Sequence, residues 1–332
     1  MKIRLRPGAG FPRVAALLAL AVTVQLAPAP AQAAGFPERP LQLIVPFTPG
    51  GNADIVARIV AQGMSEELGQ PVVVMNKPGA SAAIGAEFVA RAAPDGYTML
   101  FGTAESHALN PHLRKNLPYD PLKQLATAGI IDRFPLSLVS SPAVPAQTLG
   151  DFVAHAKVND GKLNFASWGN GSVSQIAFEQ IMQITGIRMT HIPFKGAAPA
   201  ITAVAAGDVQ AFVVPLSVAV PQAASGRVRL LAVLSGAREK VAPQTPTAIE
   251  QGVNVTISGW HVLAVPAGTP AATMQRLNSA LNAVTSRADI GEKLAKTGAQ
   301  AEKSTLESAE QMVRDEWTRW GEVARRAGLT AQ

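Results

Sequence analysis

Leu41-Gln42-Leu43-Ile44-Val45-Pro46-Phe47-Thr48-Pro49-Gly50-Gly51-Asn52-Ala53-Asp54 is the stretch that decides how this chain is read. Leu41, Leu43, Ile44 and Val45 are too apolar for a strand with one wet face, so they predict a buried strand. Pro46 and Pro49 cannot donate to a sheet ladder and should end it. Gly50 and Gly51 free the backbone for a tight turn, and Asn52 is a suitable N-cap for the helix that follows. Ile55, Val56, Ile59, Val60 and Met64 recur at helical spacing, and Gly69 after Leu68 marks the stop. Such a strand, glycine loop and helix presents unpaired N–H groups and the positive end of a helix dipole. With no side chain over Gly50 and Gly51, a small anion can reach those donors; the alternative is a plain βα turn.

Working outward, residues 71–75 predict a second strand, and Ser81 a cap for a helix reaching Arg91. Pro94-Asp95-Gly96 is a turn, residues 97–101 a third strand, and 102–107 the loop at its end. Strands alternating with helices predict an α/β fold with a parallel, doubly wound sheet. Ligands of such sheets sit beyond the carboxyl ends of the strands, where loops 46–53 and 102–107 both lie. Residues 130–140 read as a long strand broken by Pro135, followed by a linker at 141–145, with the first domain crossing near 133–140.

The second half repeats the pattern. Thr148 and Asp151 form a capping box opening a helix to Lys157. Residues 163–166 are a strand, 167–172 a second glycine loop, and Ser172 with Gln175 a second capping box for a helix that stops at Gly186. Strands at 188–192, 209–214 and 229–234 and an alanine-rich helix at 198–206 follow. The return crossing is expected near 260–265. Thr269 should then cap a helix with Pro270 at its first position. Residues 306–327 form a long amphipathic helix whose Trp317 and Trp320 are core anchors. The units 41–64 and 163–184 are expected to face each other, so that two half-positive helix ends point into one cleft.

Composition narrows the function. Lys2, Arg4, Arg6 and Arg13 precede an apolar run at 14–27 and the small-residue site Ala31-Gln32-Ala33, the pattern of a secretory signal peptide cut after Ala33. The apolar run falls short of the ~20 residues of a membrane span, though an uncleaved anchor is the alternative. Removing the four cations lowers the formal charge from +6 to +2. No Lys/Arg stripe with interleaved aromatics argues for nucleic acid. The absence of cysteine excludes disulfides, thiolate zinc sites and cysteine nucleophiles. The remaining ~300 residues are enough for a core and two domains.

Catalytic motifs are not found. The five histidines, 107, 112, 155, 191 and 261, make no H-E-x-x-H pair, and neither a G-x-S-x-G elbow nor a P-loop appears. His107, beside Glu105 and Ser106 at a strand end, is the one acid–base candidate; a pocket-lining donor or a helix start is its other reading. Asp54 either pairs with a ligand amine or caps N–H groups and balances the dipole. Lys195 is either a carboxylate partner or a solvated loop lysine. Trp168 and Phe47 either stack on a flat acid or, in the case of Trp168, pack on its own helix.

The chain resembles, over essentially its whole mature length, the Bug-type extracytoplasmic solute-binding receptors of tripartite tricarboxylate transporters. The resemblance is carried by the stretch from Pro46 to Asp54 with Ala57-Arg58, Pro78-Gly79-Ala80, Pro94-Asp95-Gly96-Tyr97-Thr98, Asn110-Pro111 and Leu117-Pro118-Tyr119-Asp120-Pro121. Further on it is carried by Gly169-Asn170-Gly171-Ser172, Pro193-Phe194-Lys195-Gly196-Ala197 with Pro199, residues 226–233, Pro246-Thr247 with Glu250-Gln251-Gly252, and Pro266-Ala267-Gly268-Thr269-Pro270. It implies a periplasmic-binding-protein (Venus flytrap) fold, two doubly wound lobes joined by two crossover strands. The layout would be a signal peptide at 1–33, lobe 1 at 34–134 and 261–332, and lobe 2 at 135–260. It further implies a monomer in the Gram-negative periplasm, without cofactor or metal. Such a receptor closes on a small organic carboxylate (a di- or tricarboxylate, an acidic amino acid or an aromatic acid) and passes it to integral membrane subunits. Ligand contacts are expected from Phe47, Thr48, Gly50, Gly51, Asn52, Ala53, Asp54, Thr103 and Ser106 of the first lobe. The second should supply Ser167, Trp168, Asn170, Gly171, Ser172, Lys195 and Gly196. The chain departs from the family pattern at Phe194, where tyrosine is commoner, at Gln175, where histidine is frequent, and at Pro215, where an acid is common. A receptor feeding a two-component sensor, or a periplasmic enzyme acting on a small acid, are the alternative functions.

Overall fold

The computed structural model describes residues 1–4 and 35–326. The chain divides into two compact units, Met1–Glu38 and Arg39–Gln332. The expected signal peptide's apolar run and its cleavage point at Ala33 lie outside the described residues. No helix among the described residues is long and apolar enough to cross a membrane.

The second unit carries the sheet. β1 (Leu41–Val45) buries every residue but Gln42 and runs parallel to β2 (Val72–Asn76) and β3 (Thr98–Thr103). α1 (Asn52–Leu68) and α2 (Ala83–Ala90) connect them. A five-residue π-helical turn, Glu105–Leu109, follows β3, and two single-turn helices, α3 (Asn110–Leu113) and α4 (Pro121–Gln124), lead into β4 (Leu125–Ser140). Then come α5 (Leu149–Val158), β5 (Asn164–Ser167), α6 (Val173–Thr185), β6 (Thr190–Pro193), α7 (Ala197–Ala206) and β7 (Ala211–Pro215). α8 (Leu216–Ala224), β8 (Arg229–Val233), β9 (Ser258–Pro266), α9 (Ala271–Thr285), α10 (Ala288–Lys296), β10 (Gln300–Ala301) and α11 (Leu306–Arg326) complete it.

The strand order is β2-β1-β3-β9-β4-β7-β5-β6, with β8 and β10 paired to β4. The trios β2-β1-β3 and β7-β5-β6 are parallel. β9 is antiparallel to β3 and β4, and β4 is antiparallel to β7 and β8. Two parallel sheets are therefore welded by antiparallel crossing strands, since a strand that leaves one lobe and one that returns must run in opposite directions. α2 packs Ala83, Ala86 and Val89 against Ile44, Leu100 and Ala264, each large buried aliphatic contributing about 1.5–3 kcal/mol.

Several local expectations are corrected. β4 is not broken at Pro135: it runs for 16 residues through it. Pro135 is the last residue paired to β9, and Leu136 the first paired to β7, so the missing N–H falls where the ladder changes partners. Asn52 is the first residue of α1 and Gly51 its N-cap. Ser81 does not cap α2; Ala82 does, with φ 71°, and the Ser81 hydroxyl instead donates to the Asn170 carbonyl at 2.7 Å. Ser172 caps α6 by accepting from the Gln175 N–H, but the Gln175 side chain reaches back to the Gly171 N–H, one residue short of a reciprocal box. Pro270 is the N-cap of α9, preceding the helix, while the Thr269 hydroxyl donates to the Pro266 carbonyl. The Thr148–Asp151 box forms as expected. Trp320 is a core residue, and Trp317, half-buried, packs on the His112 ring.

Candidate functional site

The site grows from the ends of β1 and β3 in lobe 1 and of β5 and β7 in lobe 2. An inner cavity of about 50 Å3 lies between them, lined by Phe47, Gly51, Asn52, Ala53, Thr103, Ala104, Glu105, Phe134, Leu136, Trp168, Val173, Ala197, Pro215, Gly259, Trp260 and His261. A second hollow of about 300 Å3 is lined by Phe47, residues 79–82, Arg114, residues 168–170 and residues 193–195. Phe47 and Trp168 border both, so these two rings, one from each lobe, stand between the hollows.

The start of α1 supplies donors. The first intrahelical bond runs from the Ile55 N–H to the Gly51 carbonyl, which leaves the N–H groups of Gly51, Asn52 and Ala53 ahead of it. Asn52 is 3 % exposed. Its Oδ1 accepts from the Ser217 hydroxyl of α8 at 2.7 Å, and its Nδ2 is buried without a partner. Gly51 itself adopts an ordinary extended conformation. What it contributes is space: a Cβ there would lie 3.8 Å from the Ala197 Cβ of the other lobe.

Asp54 serves the loop rather than a ligand amine. Its Oδ2 accepts from the Gly50 N–H and Arg58 Nε, and its Oδ1 from Arg58 Nη2 and Asn76 Nδ2, all within 3.1 Å. Burial raises its pKa, but the hydrogen bonds from Arg58, Gly50 and Asn76, with the Arg58 charge, outweigh that and hold it below the ordinary carboxylate value.

The start of α6 is filled from within. Glu105, buried, reaches across from lobe 1: its Oε1 accepts from the Trp168 indole at 2.8 Å and the Val173 N–H at 3.1 Å, and its Oε2 from the Thr103 hydroxyl at 2.7 Å. Both helix starts do border one cavity, as expected, but at the second the Val173 N–H is already given to Glu105. In the cavity wall His261 stacks on Phe134 and meets the tilted Phe101 ring, with centroids 4.5 Å away in each case. Its Nδ1 contacts Asp132 Oδ1 at 2.6 Å, and both residues are buried.

Of the expected contact residues, Phe47, Gly51, Asn52, Ala53, Thr103 and Trp168 line the inner cavity. Asn170 and Lys195 line the outer hollow with Phe47 and Trp168. The others are placed elsewhere. Ser106 is fully buried, its hydroxyl donating to the Thr103 carbonyl and accepting from the Thr103 N–H. Ser167 is spent on Gly169 and His191, and Gly171 and Ser172 on Gln175. Gly50 donates to Asp54, and Thr48 and Gly196 meet each other where the lobes touch. His107 is buried beside Ser106, at 2.8 Å, and burial lowers its pKa to about 4. It does not border the inner cavity. Sequence reasoning missed Phe134, Leu136, Val173, Trp260 and His261, and took Glu105 only as a neighbour of His107. No group of three or more potential metal ligands is gathered among the described residues.

Residues 56–329 match the profile of the tripartite tricarboxylate transporter family receptor. The chain is 32% identical to protein BugT of Bordetella pertussis, over 95% of this chain and 98% of that one. A Rhodopseudomonas palustris protein solved with adipate superposes with TM-score 0.87 at 31% identity, covering 90% of this chain and 100% of the other. MatC of Rhodopseudomonas palustris, solved with bound malate, gives TM-score 0.82 at 31% identity over 87% and 99%. The two-lobed architecture is that of the periplasmic binding proteins. With the family profile matching residues 56–329 and BugT 32% identical over 95% of the chain, the chain belongs to the Bug-type receptor family of tripartite tricarboxylate transporters.

Proposed function

We propose that this chain is a periplasmic solute receptor that captures a small organic carboxylate between its lobes. It delivers that acid to the integral membrane subunits of a tripartite tricarboxylate-type transporter. Residues 34–134 with 261–332 act as one lobe and 135–260 as the other, and the leader is removed near Ala33. The single observation that carries the reading is the start of α1. There unpaired N–H groups, the positive end of a 17-residue helix and the partnerless Asn52 Nδ2 converge on a largely apolar cavity between lobes. A carboxylate supplies the acceptors those donors lack. Relatives solved with adipate and malate support the ligand class. Phe47 and Trp168 close over the bound acid; Asn170 and Lys195 act at the entrance.

The test is Gly51→Val. The added Cβ meets Ala197 and Thr48 only at ordinary contact distance, and the backbone conformation suits any residue, so the fold should persist while the methyls occupy the anion's place. Titration calorimetry against a panel of carboxylic acids should show affinity falling about a hundredfold or more, with the melting temperature without ligand within a few degrees. Affinity retained in the variant, or chemical conversion of the acid, would overturn the reading. The same panel run as a thermal-shift screen identifies the acid, because ligand in excess raises the melting point by mass action.

A further inference from the structure

Among the helix starts bordering the inner cavity, those of α1 and α6 are not equivalent. At α1 the Asn52 and Ala53 N–H groups precede the first intrahelical bond, and the Asn52 amide nitrogen is buried without a partner. At α6 the Val173 N–H is already given to Glu105 Oε1 at 3.1 Å, and the Trp168 indole N–H to the same oxygen at 2.8 Å. Glu105 comes from the opposite lobe, is 3 % exposed, and has its other oxygen held by the Thr103 hydroxyl at 2.7 Å. The protein's own carboxylate thus sits where a second carboxylate of a ligand would seek donors.

Building on the carboxylate reading above, we infer that this receptor takes a small monocarboxylate with an apolar or aromatic body, and that Glu105 is the residue that excludes diacids. The head group binds at the start of α1. The body lies among Phe47, Phe134, Leu136, Trp168, Pro215 and Trp260, none of which offers a charge. Among the described residues no lysine or arginine lines this cavity, and the basic side chain that does is His261, whose Nδ1 is engaged by Asp132 at 2.6 Å. A second ligand carboxylate reaching the far wall would find the Val173 N–H taken and the Glu105 carboxyl group beside it, in a site walled mostly by apolar side chains. The volume of about 50 Å3 favours a lean body in the same direction.

The experiment is titration calorimetry of the purified chain with two matched pairs, hexanoate against adipate and benzoate against terephthalate. In at least one pair the monoacid should bind tenfold or more tighter than its diacid. Glu105→Gln is the diagnostic variant, because an amide fits the same contacts: its oxygen accepts from Trp168 and Val173 and its nitrogen donates to the Thr103 hydroxyl. In that variant the gap should narrow at least tenfold. A diacid that binds the native chain as tightly as its monoacid in both pairs overturns the inference while leaving the carboxylate receptor standing, as does a gap that Glu105→Gln does not change. If the variant does not fold, as judged by its thermal melt, the order measured on the native chain decides alone. Should no acid of either kind bind the native chain, the carboxylate reading falls and the inference with it.

Discussion

Asp54 and Glu105 are both acids at helix starts, yet they do opposite things. Asp54 lies in the first turn of its own helix, where a carboxylate is expected to satisfy local N–H groups, and its four hydrogen bonds all stay within lobe 1. Glu105 satisfies the helix of the other lobe, and nothing in its local sequence announces that. His107, two residues beyond Glu105, is a buried neutral base with a pKa lowered to about 4 by burial. The unfolded chain takes up its proton near pH 6.5. The stabilisation is therefore complete above that value and is lost as pH falls from about 6.5 to about 4. His107→Gln should flatten the loss of stability across that window by on the order of 3 kcal/mol, read from urea unfolding at each pH. Asp54 acts further down. Because its folded pKa is depressed, its contribution is present above the ordinary carboxylate pKa and vanishes as pH drops through the lower folded value. An Asp54→Asn variant should accordingly lose most of its stability deficit relative to the native chain in strong acid.

Elements were legible wherever a pattern is local. The buried run 41–45, the helical spacing of α1 and the Thr148–Asp151 box all act within a few residues, and all form where expected. What misled was geometry imposed from outside the segment. Pro135 reads as a strand breaker, but it sits at the one point in β4 where the ladder changes partners and a missing donor is tolerated. Ala80, Ser81 and Ala82 hold φ of 47°, 46° and 71° in succession, a turn that no residue of that sequence favours. The turn lies against the second lobe, where Ser81 donates to Asn170. Contacts across lobes thus accompany a conformation the local sequence disfavours. Ala82→Gly should relieve part of the strain and stabilise the chain by about 0.5–1 kcal/mol in chemical denaturation. No gain would mean that the turn carries no strain at that residue.

On the scale of the whole molecule, hydrogen bonds between the cleft loops tie the lobes together, among them Ser81 to Asn170, Ser217 to Asn52, and Trp168 and Val173 to Glu105. A receptor that signals by closing needs its closed arrangement only slightly above or below the open one in free energy, so that the ligand's differential affinity decides. Trp168 is the natural adjustment point, since its indole N–H spans the gap. Trp168→Phe removes one donor from a buried carboxylate and leaves the ring wall largely in place. In solution scattering without added acid, this variant should show a larger radius of gyration than the native chain; an identical radius would show that the Trp168–Glu105 bond does not bias closure.

The amino-acid sequence by itself determined the alternation of strands and helices, the two glycine loops and the amide-rich start of α1, because each depends on neighbours a few positions away. It also predicted free N–H groups at Gly51, Asn52 and Ala53, which line the inner cavity, since a glycine turn before a helix exposes those groups whatever the rest of the chain does. Only the tertiary structure decided that the Val173 donor at the start of α6 is given to Glu105. Glu105 and Val173 are 68 residues apart, Asp132 and His261 are 129, and no periodicity records a pairing that exists only once the crossing strands have brought the two lobes face to face.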